Sequence, residues 1–209
     1  MKIENYYDCE YGLPFKAFIP DKLPDNPALI VQLHGVGERG NGGEELEKVT
    51  AHGFPKIVND DNLSDCILVC PQCPNGTFWV AKIETVKNFI DRIVEKYNID
   101  SDRIYLCGLS MGGYGTWYTA QAYPDFFAAI APCCGGGMCW YAPILQMPIW
   151  AFHGKEDTAV PVSETINMIE RLEGRNENLK YTLYENVGHE SFTHAFNEEL
   201  LSWLLQHKR

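Results

Sequence analysis

Short apolar segments alternate with helix-like segments along almost the whole of this chain. Residues 28–33 read ALIVQL, an apolar run interrupted by one glutamine, which is typical of a strand buried on both faces of a parallel sheet. Residues 16–20 predict one strand of an antiparallel hairpin at the edge of the sheet. Five further apolar runs have strand length: residues 66–70, 103–108, 127–133, 148–154 and 180–185.

The segments between these runs have helical spacing. Residues 83–98 place apolar side chains every three or four positions on one face of a helix. Helices are also predicted over residues 111–123, 163–173, with Ser163 as N-cap, and 191–208. This alternation predicts an α/β fold, a mostly parallel, twisted sheet with helices on both faces. Because no repeat or linker interrupts it, we expect a single domain over residues 1–209.

The composition argues against several classes of partner. The 209 residues carry a formal net charge of -11, and a surface of that sign repels nucleic-acid phosphates and anionic lipid headgroups. The N-terminus, MKIENYYDCEYG, lacks the apolar segment of a secretory signal, and no run approaches the ~18 apolar residues of a membrane span. We therefore expect a cytoplasmic protein with a small neutral substrate and no nucleic-acid or membrane partner.

The eight cysteines are mostly expected to be free thiols, because nothing in the sequence directs the chain to an oxidising compartment. Cys70 and Cys73 in CPQC have the spacing of a redox motif, but a proline-rich loop follows them where such a motif needs a helix N-terminus. A zinc site would need a second pair at ligand spacing. We predict no metal, nucleotide or organic cofactor.

One serine lies on a glycine-flanked corner between a predicted strand and a predicted helix. Gly108, Ser110 and Gly112 form a G-x-S-x-G motif after the apolar run at residues 103–108. A strand that turns directly into a helix strains the serine backbone, and side chains two positions away would collide. The corner lifts the hydroxyl beyond the carboxyl end of the sheet, where parallel α/β sheets collect reactive groups. Ser110 is therefore the candidate nucleophile.

A serine hydroxyl needs a base, and the base needs a group that orients it. On this kind of corner the chain order is serine, then acid, then histidine. Asp157 lies in the loop after the run at residues 148–154, and His189 lies in the loop after residues 180–185. Because each follows a strand of the same sheet, we select both as partners of Ser110.

Four other side chains compete for these roles. Glu156 and Glu185 are alternative acids, and His194 is an alternative base within the predicted last helix. His153 ends a predicted strand next to a glycine. Since the base is already supplied, we interpret His153 as a structural histidine with satisfied hydrogen bonds.

An oxyanion formed during acyl transfer needs backbone N–H donors. Met111 follows the nucleophile and supplies one donor near the positive end of its helix. The second donor is expected in the loop LHGVGERGNGGEE, where we select Val36, with Gly35 beside it as a substrate contact. The P-loop pattern is absent from this loop, so its glycines do not predict a nucleotide site.

Six segments together resemble the α/β-hydrolase superfamily: LHGVGERG, PQCPNGTFW, IYLCGLSMGGYGTW, FAAIAPCCGGG, PIWAFHGKEDTAVPV and VGHESFTHAF. More narrowly, the chain is similar to small bacterial serine esterases of the prolyl-oligopeptidase type, to feruloyl and acetyl-xylan esterases and to phospholipase/carboxylesterases. The resemblance covers about residues 28–196 and implies the same triad and the same two amide donors. Dienelactone hydrolases resemble this fold but use cysteine at the elbow, where this chain has Ser110.

The segment that would hold a cap domain is short. CCGGGMCWYAPILQM has no room for the helical lid of lipases, so we expect an open cleft and no cap domain. The resemblance implies that Trp79 lines the mouth of the site, with a core position as the alternative. Trp140 is a candidate for the wall of the substrate pocket, with packing as its alternative.

These residues predict a serine carboxylesterase that forms an acyl-enzyme. Small esters and sugar-linked esters with acetyl or hydroxycinnamoyl groups are the candidate substrates. A serine peptidase or amidase on short peptides is the alternative, because the two differ in the leaving group. A non-catalytic binding protein on this scaffold would be expected to lack a member of the triad, and none is missing.

Overall fold

The computed structural model describes residues 1–7 and 11–209; Cys9 lies outside the described residues. The described part of the chain contains eight strands: β1 Lys2–Tyr6, β2 Phe15–Ile19, β3 Ala28–Leu33, β4 Cys66–Pro71, β5 Ile104–Leu109, β6 Ala129–Cys133, β7 Ile149–Gly154 and β8 Leu179–Tyr184. They form one sheet in the order β1-β2-β4-β3-β5-β6-β7-β8. The pairs β1–β2 and β2–β4 are antiparallel, and every neighbouring pair from β4 to β8 is parallel. The mostly parallel sheet is confirmed.

Helices cover both faces of this sheet. The helices in the described residues are α1 Ile83–Tyr97, α2 Met111–Ala122, α3 Ser163–Leu172, α4 Phe192–Ala195 and α5 Glu198–Leu205. Most of the buried apolar side chains of α1, α2 and α3 belong to one apolar cluster, and those of α4 and α5 belong to another. Leu29 and Val31 of β3 join the first cluster, while Ile30 joins the second. This alternation along a buried strand places a core on each side of the sheet.

Two predicted helix boundaries were wrong. The expected helix over residues 191–208 is broken into α4 and α5, because the side chain of Asn197 accepts a hydrogen bond from the N–H of Leu200 at 2.9 Å and starts a new helix. The N-cap of α3 is Val162, and Ser163 is its first helical residue.

The cysteines of the CPQC segment lie in the core. Cys70 lies within β4, and Cys73 lies two residues after the end of that strand. Both are buried, free thiols. Burial raises the pKa of the Cys73 thiol to about 11, the opposite of the lowered pKa that a redox-active thiol needs. Over residues 1–7 and 11–209, no helix is long and apolar enough to cross a membrane.

The carboxyl ends of four parallel strands position the candidate site residues. Val36 follows β3, Ser110 follows β5, Asp157 follows β7 and His189 follows β8. Because parallel strands all point the same way, these four loops meet at one edge of the sheet.

Candidate active site

Ser110 stands on a strained turn between β5 and α2. Its backbone has φ 55 and ψ -118, a region that residues other than glycine rarely adopt. A Cβ on Gly108 would lie 2.3 Å from the carbonyl oxygen of Gly112, and a Cβ on Gly112 would lie 1.9 Å from the carbonyl oxygen of Leu33. The two glycines therefore let α2 start against the end of β3 while the serine side chain points away from the sheet.

One chain of hydrogen bonds joins the three side chains selected from the sequence. Ser110 Oγ lies 2.9 Å from His189 Nε2, and His189 Nδ1 lies 2.7 Å from Asp157 Oδ2. A carboxylate accepts hydrogen bonds, so the proton on the ring belongs to Nδ1 and Nε2 is left to accept from the serine hydroxyl. The fold thus brings residues from three separate loops within hydrogen-bonding distance.

Asp157 is held as a charged group. Its side chain is buried, and its Oδ1 accepts the N–H groups of Ala159 at 2.9 Å and Val160 at 2.8 Å. Burial by itself raises the pKa of the carboxyl, but the hydrogen bonds from Val160, His189 and Ala159 outweigh it, so the pKa of Asp157 lies below its ordinary value. Asp157 therefore carries a negative charge beside the imidazole at neutral pH.

A second histidine lies on the other side of this carboxylate. His153 is completely buried, and its Nε2 lies 3.0 Å from the carbonyl oxygen of Val160 and 3.3 Å from Asp157 Oδ2. Its Nδ1 lies 2.7 Å from Thr165 Oγ1, and the Thr165 hydroxyl donates its one proton to the carbonyl of Gly135. Burial lowers the pKa of His153. Both ring nitrogens have partners, as the structural interpretation expects.

The competing acids and base are not members of this series of hydrogen bonds. Glu156 and Glu185 are exposed, and Glu185 forms an ion pair with Lys155. His194 is exposed in α4, with its ring 5.5 Å from that of Tyr184.

The two expected amide donors flank Ser110. Val36 starts a short 3-10 helix, Val36–Glu38, directly after Gly35, and Met111 is the first residue of α2. The first N–H groups of a helix have no partner within that helix. Arg39 holds the Val36 loop, because its Nε donates to the carbonyl of Val36 at 3.0 Å and its guanidinium donates to the carbonyl of Thr77 at 3.2 Å.

A buried histidine supports the same loop from below. His34 Nδ1 donates to the carbonyl of Gly35 at 2.6 Å, and His34 Nε2 accepts the N–H of Cys73 at 2.9 Å. Desolvation lowers the pKa of His34 to about 4, so the ring is neutral at neutral pH. Trp79 donates from Nε1 to the carbonyl of His34 at 2.9 Å.

This hydrogen bond corrects the expectation for Trp79. The indole is fully buried in the core beneath the loop after β3. Its N–H has a hydrogen-bond partner there, as a buried indole requires. Its neighbours Phe78 and Val80 line the cavity in its place. Trp140 is also displaced from its expected position: it is 74% exposed in the 3-10 helix Cys139–Ile144 and is not among the residues that line the cavity.

A large apolar cavity opens at Ser110 and His189. Its volume is ≈ 580 Å³, and apart from Ser110 and His189 it is walled mainly by apolar and aromatic side chains. These are Val36, Phe78, Val80, Met111, Tyr114, Tyr118, Ala159 and Val160. Tyr114 and Tyr118 were not predicted from the sequence, although their spacing of four places them on one face of α2, one and two turns past the serine.

A smaller cavity also reaches the triad. Its volume is ≈ 160 Å³, and its walls are Gly35, Val36, Gly37, Glu38, His52, Leu109, Ser110, His189 and Phe192. Gly35, expected as a substrate contact, lies here. The sequence offered no signal for His52 or Phe192, because they come from distant segments of the chain.

One group of potential metal ligands occurs in the described part of the chain. Side-chain atoms of Cys134, Asp157 and His189 lie within 4.8 Å of one another. Asp157 and His189 already bond to each other at 2.7 Å, so the hydrogen-bond chain occupies the donors a metal would need.

The residues from 77 to 201, more than half of the chain, match the family model described as the dienelactone hydrolase family. The chain belongs to the dienelactone hydrolase family. This member carries serine at the elbow, and Cys107 is buried three residues earlier in β5. Burial raises the pKa of the Cys107 thiol, so it is not an activated nucleophile.

Esterases are among the proteins similar to this dienelactone hydrolase family member. The bifunctional acetylxylan esterase/xylanase of Neocallimastix patriciarum is 28% identical over 170 residues, covering 75% of this chain and 23% of the relative. Feruloyl esterase B of Talaromyces funiculosus is 28% identical over 138 residues, covering 61% of this chain and 38% of the relative. The chain therefore spans well under half of the length of these relatives.

A solved structure has the same fold over the whole chain. A thermostable esterase superposes with a TM-score of 0.81 at 31% sequence identity, covering 100% of this chain and 63% of the other. Together with the sheet order and the helices on both faces, this likeness establishes the α/β-hydrolase fold.

Proposed function

We propose that this dienelactone hydrolase family member is a serine carboxylesterase. Ser110 is the nucleophile, His189 is the general base and acid, and Asp157 orients His189 and stabilises its charge. The observation that carries the proposal is the hydrogen-bond chain from Ser110 Oγ through His189 to Asp157, with steps of 2.9 Å and 2.7 Å. It begins at a strained elbow that opens on a substrate-sized cavity.

The reaction divides into two transfers. Ser110 Oγ attacks the ester carbonyl carbon while its proton moves to His189 Nε2, and the N–H groups of Val36 and Met111 bind the oxyanion. The carbon–oxygen bond to the alcohol then breaks, and His189 returns the proton to the departing alcohol. Water attacks the acyl-enzyme by the same route, releasing the acid and restoring Ser110.

The larger cavity supports an acyl group bigger than acetyl. A volume of ≈ 580 Å³ walled by Phe78, Val80, Tyr114 and Tyr118 offers apolar and aromatic surface for a hydroxycinnamoyl group. The names of the relatives, acetylxylan esterase and feruloyl esterase, also favour acyl esters of plant cell-wall sugars. We propose that residues 1–209 carry this activity as one domain without a cap.

Rates with p-nitrophenyl acetate, methyl ferulate and a proline-containing anilide test the proposal. We expect hydrolysis of both esters, and a fall in kcat of about 10⁴-fold or more in Ser110→Ala and His189→Ala. His194→Ala is the matched control and should keep most of the activity, because that ring is exposed and the partner of Ser110 Oγ is His189. A fluorophosphonate should label Ser110 in the wild type, as read by peptide mass spectrometry.

The same assay separates the esterase from the alternative. Faster cleavage of the anilide than of either ester would favour the peptidase or amidase. Ester turnover that survives in Ser110→Ala would show that the nucleophile has been assigned wrongly.

A further inference from the structure

Two cavities meet at Ser110 and His189. The larger cavity of ≈ 580 Å³, here called the acyl cavity, extends along α2 and the loop after β7. The smaller cavity of ≈ 160 Å³ extends under the loop after β3 toward His52 and Phe192. A tetrahedral intermediate on Ser110 has two organic substituents, the acyl chain and the alcohol. Because both cavities include the nucleophile and the proton carrier, each can receive one of these substituents.

The smaller cavity contains an acidic side chain with little to bind. Glu38 is 14% exposed, and its one ion-pair contact among the described residues is His52 Nε2 at 3.9 Å, longer than a hydrogen bond. Its Oε2 lies 3.1 Å from the position that a Cβ on Gly35 would occupy, and the same position is 3.7 Å from the Cβ of Ser110. The Glu38 carboxylate and the nucleophile are thus separated by a single glycine.

A carboxylate that lines a cavity and has no short ion pair among the described residues can accept hydrogen bonds from a ligand that enters the cavity. Esterification leaves a sugar with free hydroxyls next to the ester oxygen, and these hydroxyls donate to carboxylates in short, charge-assisted hydrogen bonds. The ring of Phe192, 5.0 Å from that of His52, offers an apolar face for the C–H surface of a sugar. The acyl cavity has no comparable acceptor in its walls.

We propose that Glu38 and His52 form an alcohol subsite that selects esters whose leaving group is a sugar or another polyol. The inference rests on the proposed esterase function and names the part of the substrate that the acyl cavity does not explain. Glu38 accepts hydrogen bonds from hydroxyls of the alcohol, His52 closes the far side, and Phe192 forms the floor.

Matched ester pairs test the subsite. Each pair keeps one acyl group, feruloyl or acetyl, and joins it either to methanol or to a methyl xyloside; the pair that the wild type hydrolyses faster is used. We measure the ratio of kcat/KM for the xyloside ester to that for the methyl ester. This ratio should fall about tenfold in Glu38→Gln, which removes the charge, and further in Glu38→Ala, which removes the acceptor.

Glu44→Gln is the matched control, because it removes the same charge from an exposed position in the next 3-10 helix, Gly43–Thr50, and its ratio should equal that of the wild type. Fluorophosphonate labelling of Ser110 in each variant reports whether the site is intact. A ratio unchanged in both Glu38 variants would overturn the subsite. Equal losses in Glu38→Gln and Glu38→Ala, together with a larger loss on a choline ester, would overturn the polyol in favour of a cationic alcohol.

Failure of the subsite is distinguishable from failure of the esterase. Wild-type hydrolysis of methyl esters that is lost in Ser110→Ala, with no dependence of the ratio on Glu38, would refute only the alcohol subsite. Absence of ester hydrolysis in the wild type would refute the proposed function, and the subsite with it.

Discussion

Replacing the buried imidazole of His34 with glutamine should weaken the dependence of stability on pH. His34 Nε2 accepts the N–H of Cys73, and its Nδ1–H donates to the carbonyl of Gly35. A second proton would leave two donors facing each other at Nε2 in a buried site. The folded protein therefore disfavours the charged ring, whereas the unfolded chain accepts the proton freely.

The size of the effect follows from the two pKa values. Burial lowers the pKa of His34 to about 4 in the folded protein, and an unfolded histidine has a pKa of about 6.5. Above pH 6.5 neither state is protonated; as the pH falls toward 4, the unfolded state binds the proton first and stability is lost. Between pH 7 and pH 5 the linkage relation gives a loss of about 2 kcal/mol from this one residue. His153, whose pKa burial also lowers, adds a loss of the same sign.

Urea unfolding at pH 7 and at pH 5, followed by tryptophan fluorescence, measures this difference. The wild type should lose about 2 kcal/mol more unfolding free energy than His34→Gln between the two pH values. His194→Gln is the control, since it makes the same replacement at an exposed ring. If wild type and His34→Gln lost the same free energy, protonation of His34 would not be coupled to folding and the assignment of its hydrogen bonds would be refuted.

Three further predictions concern the elbow, the indole and the thiols. Gly112→Ala should lower the unfolding free energy by about 3 kcal/mol in urea titrations, because its Cβ would lie 1.9 Å from the carbonyl oxygen of Leu33; an unchanged midpoint would contradict this. Trp79→Phe should cost about 1–2 kcal/mol in the same assay, since it leaves the carbonyl of His34 without its N–H donor. In the native protein, a thiol reagent should label the half-buried Cys139 before Cys66 or Cys107, which are buried and have raised pKa values; peptide mapping measures the order.

Much of the fold could be predicted because its signals are local. Residues 28–33 are apolar enough to be buried on both faces, and they form β3 with the predicted bounds. The helix predicted over residues 83–98 matches α1, which ends where Asn98 adopts a left-handed conformation with φ 53. The break between α4 and α5 was missed because Asn197, a capping residue inside an apolar helical pattern, decides the boundary through one side-chain hydrogen bond.

The candidate site divides in the same way. Ser110 has a local signature in its flanking glycines, and chain order ranks Asp157 and His189, so the sequence predicts all three, and the structure joins them by hydrogen bonds. Glu38 was overlooked although it is part of the loop that carries Val36, because nothing in that loop indicates which side chains turn toward the serine.

By itself, the sequence determined the order of β2 to β8 and of α1 to α3, the sharp corner at Ser110 and the loops that follow β7 and β8, because hydrophobic period and glycine sterics act over a few residues. Only the tertiary structure decided that Trp79 is buried beneath the loop after β3, that Tyr114 and Tyr118 wall one cavity and that Glu38 and His52 wall another. Cavities are bounded by side chains from separate segments, and their shape depends on how those segments pack against one another. No pattern within a single segment contains that information.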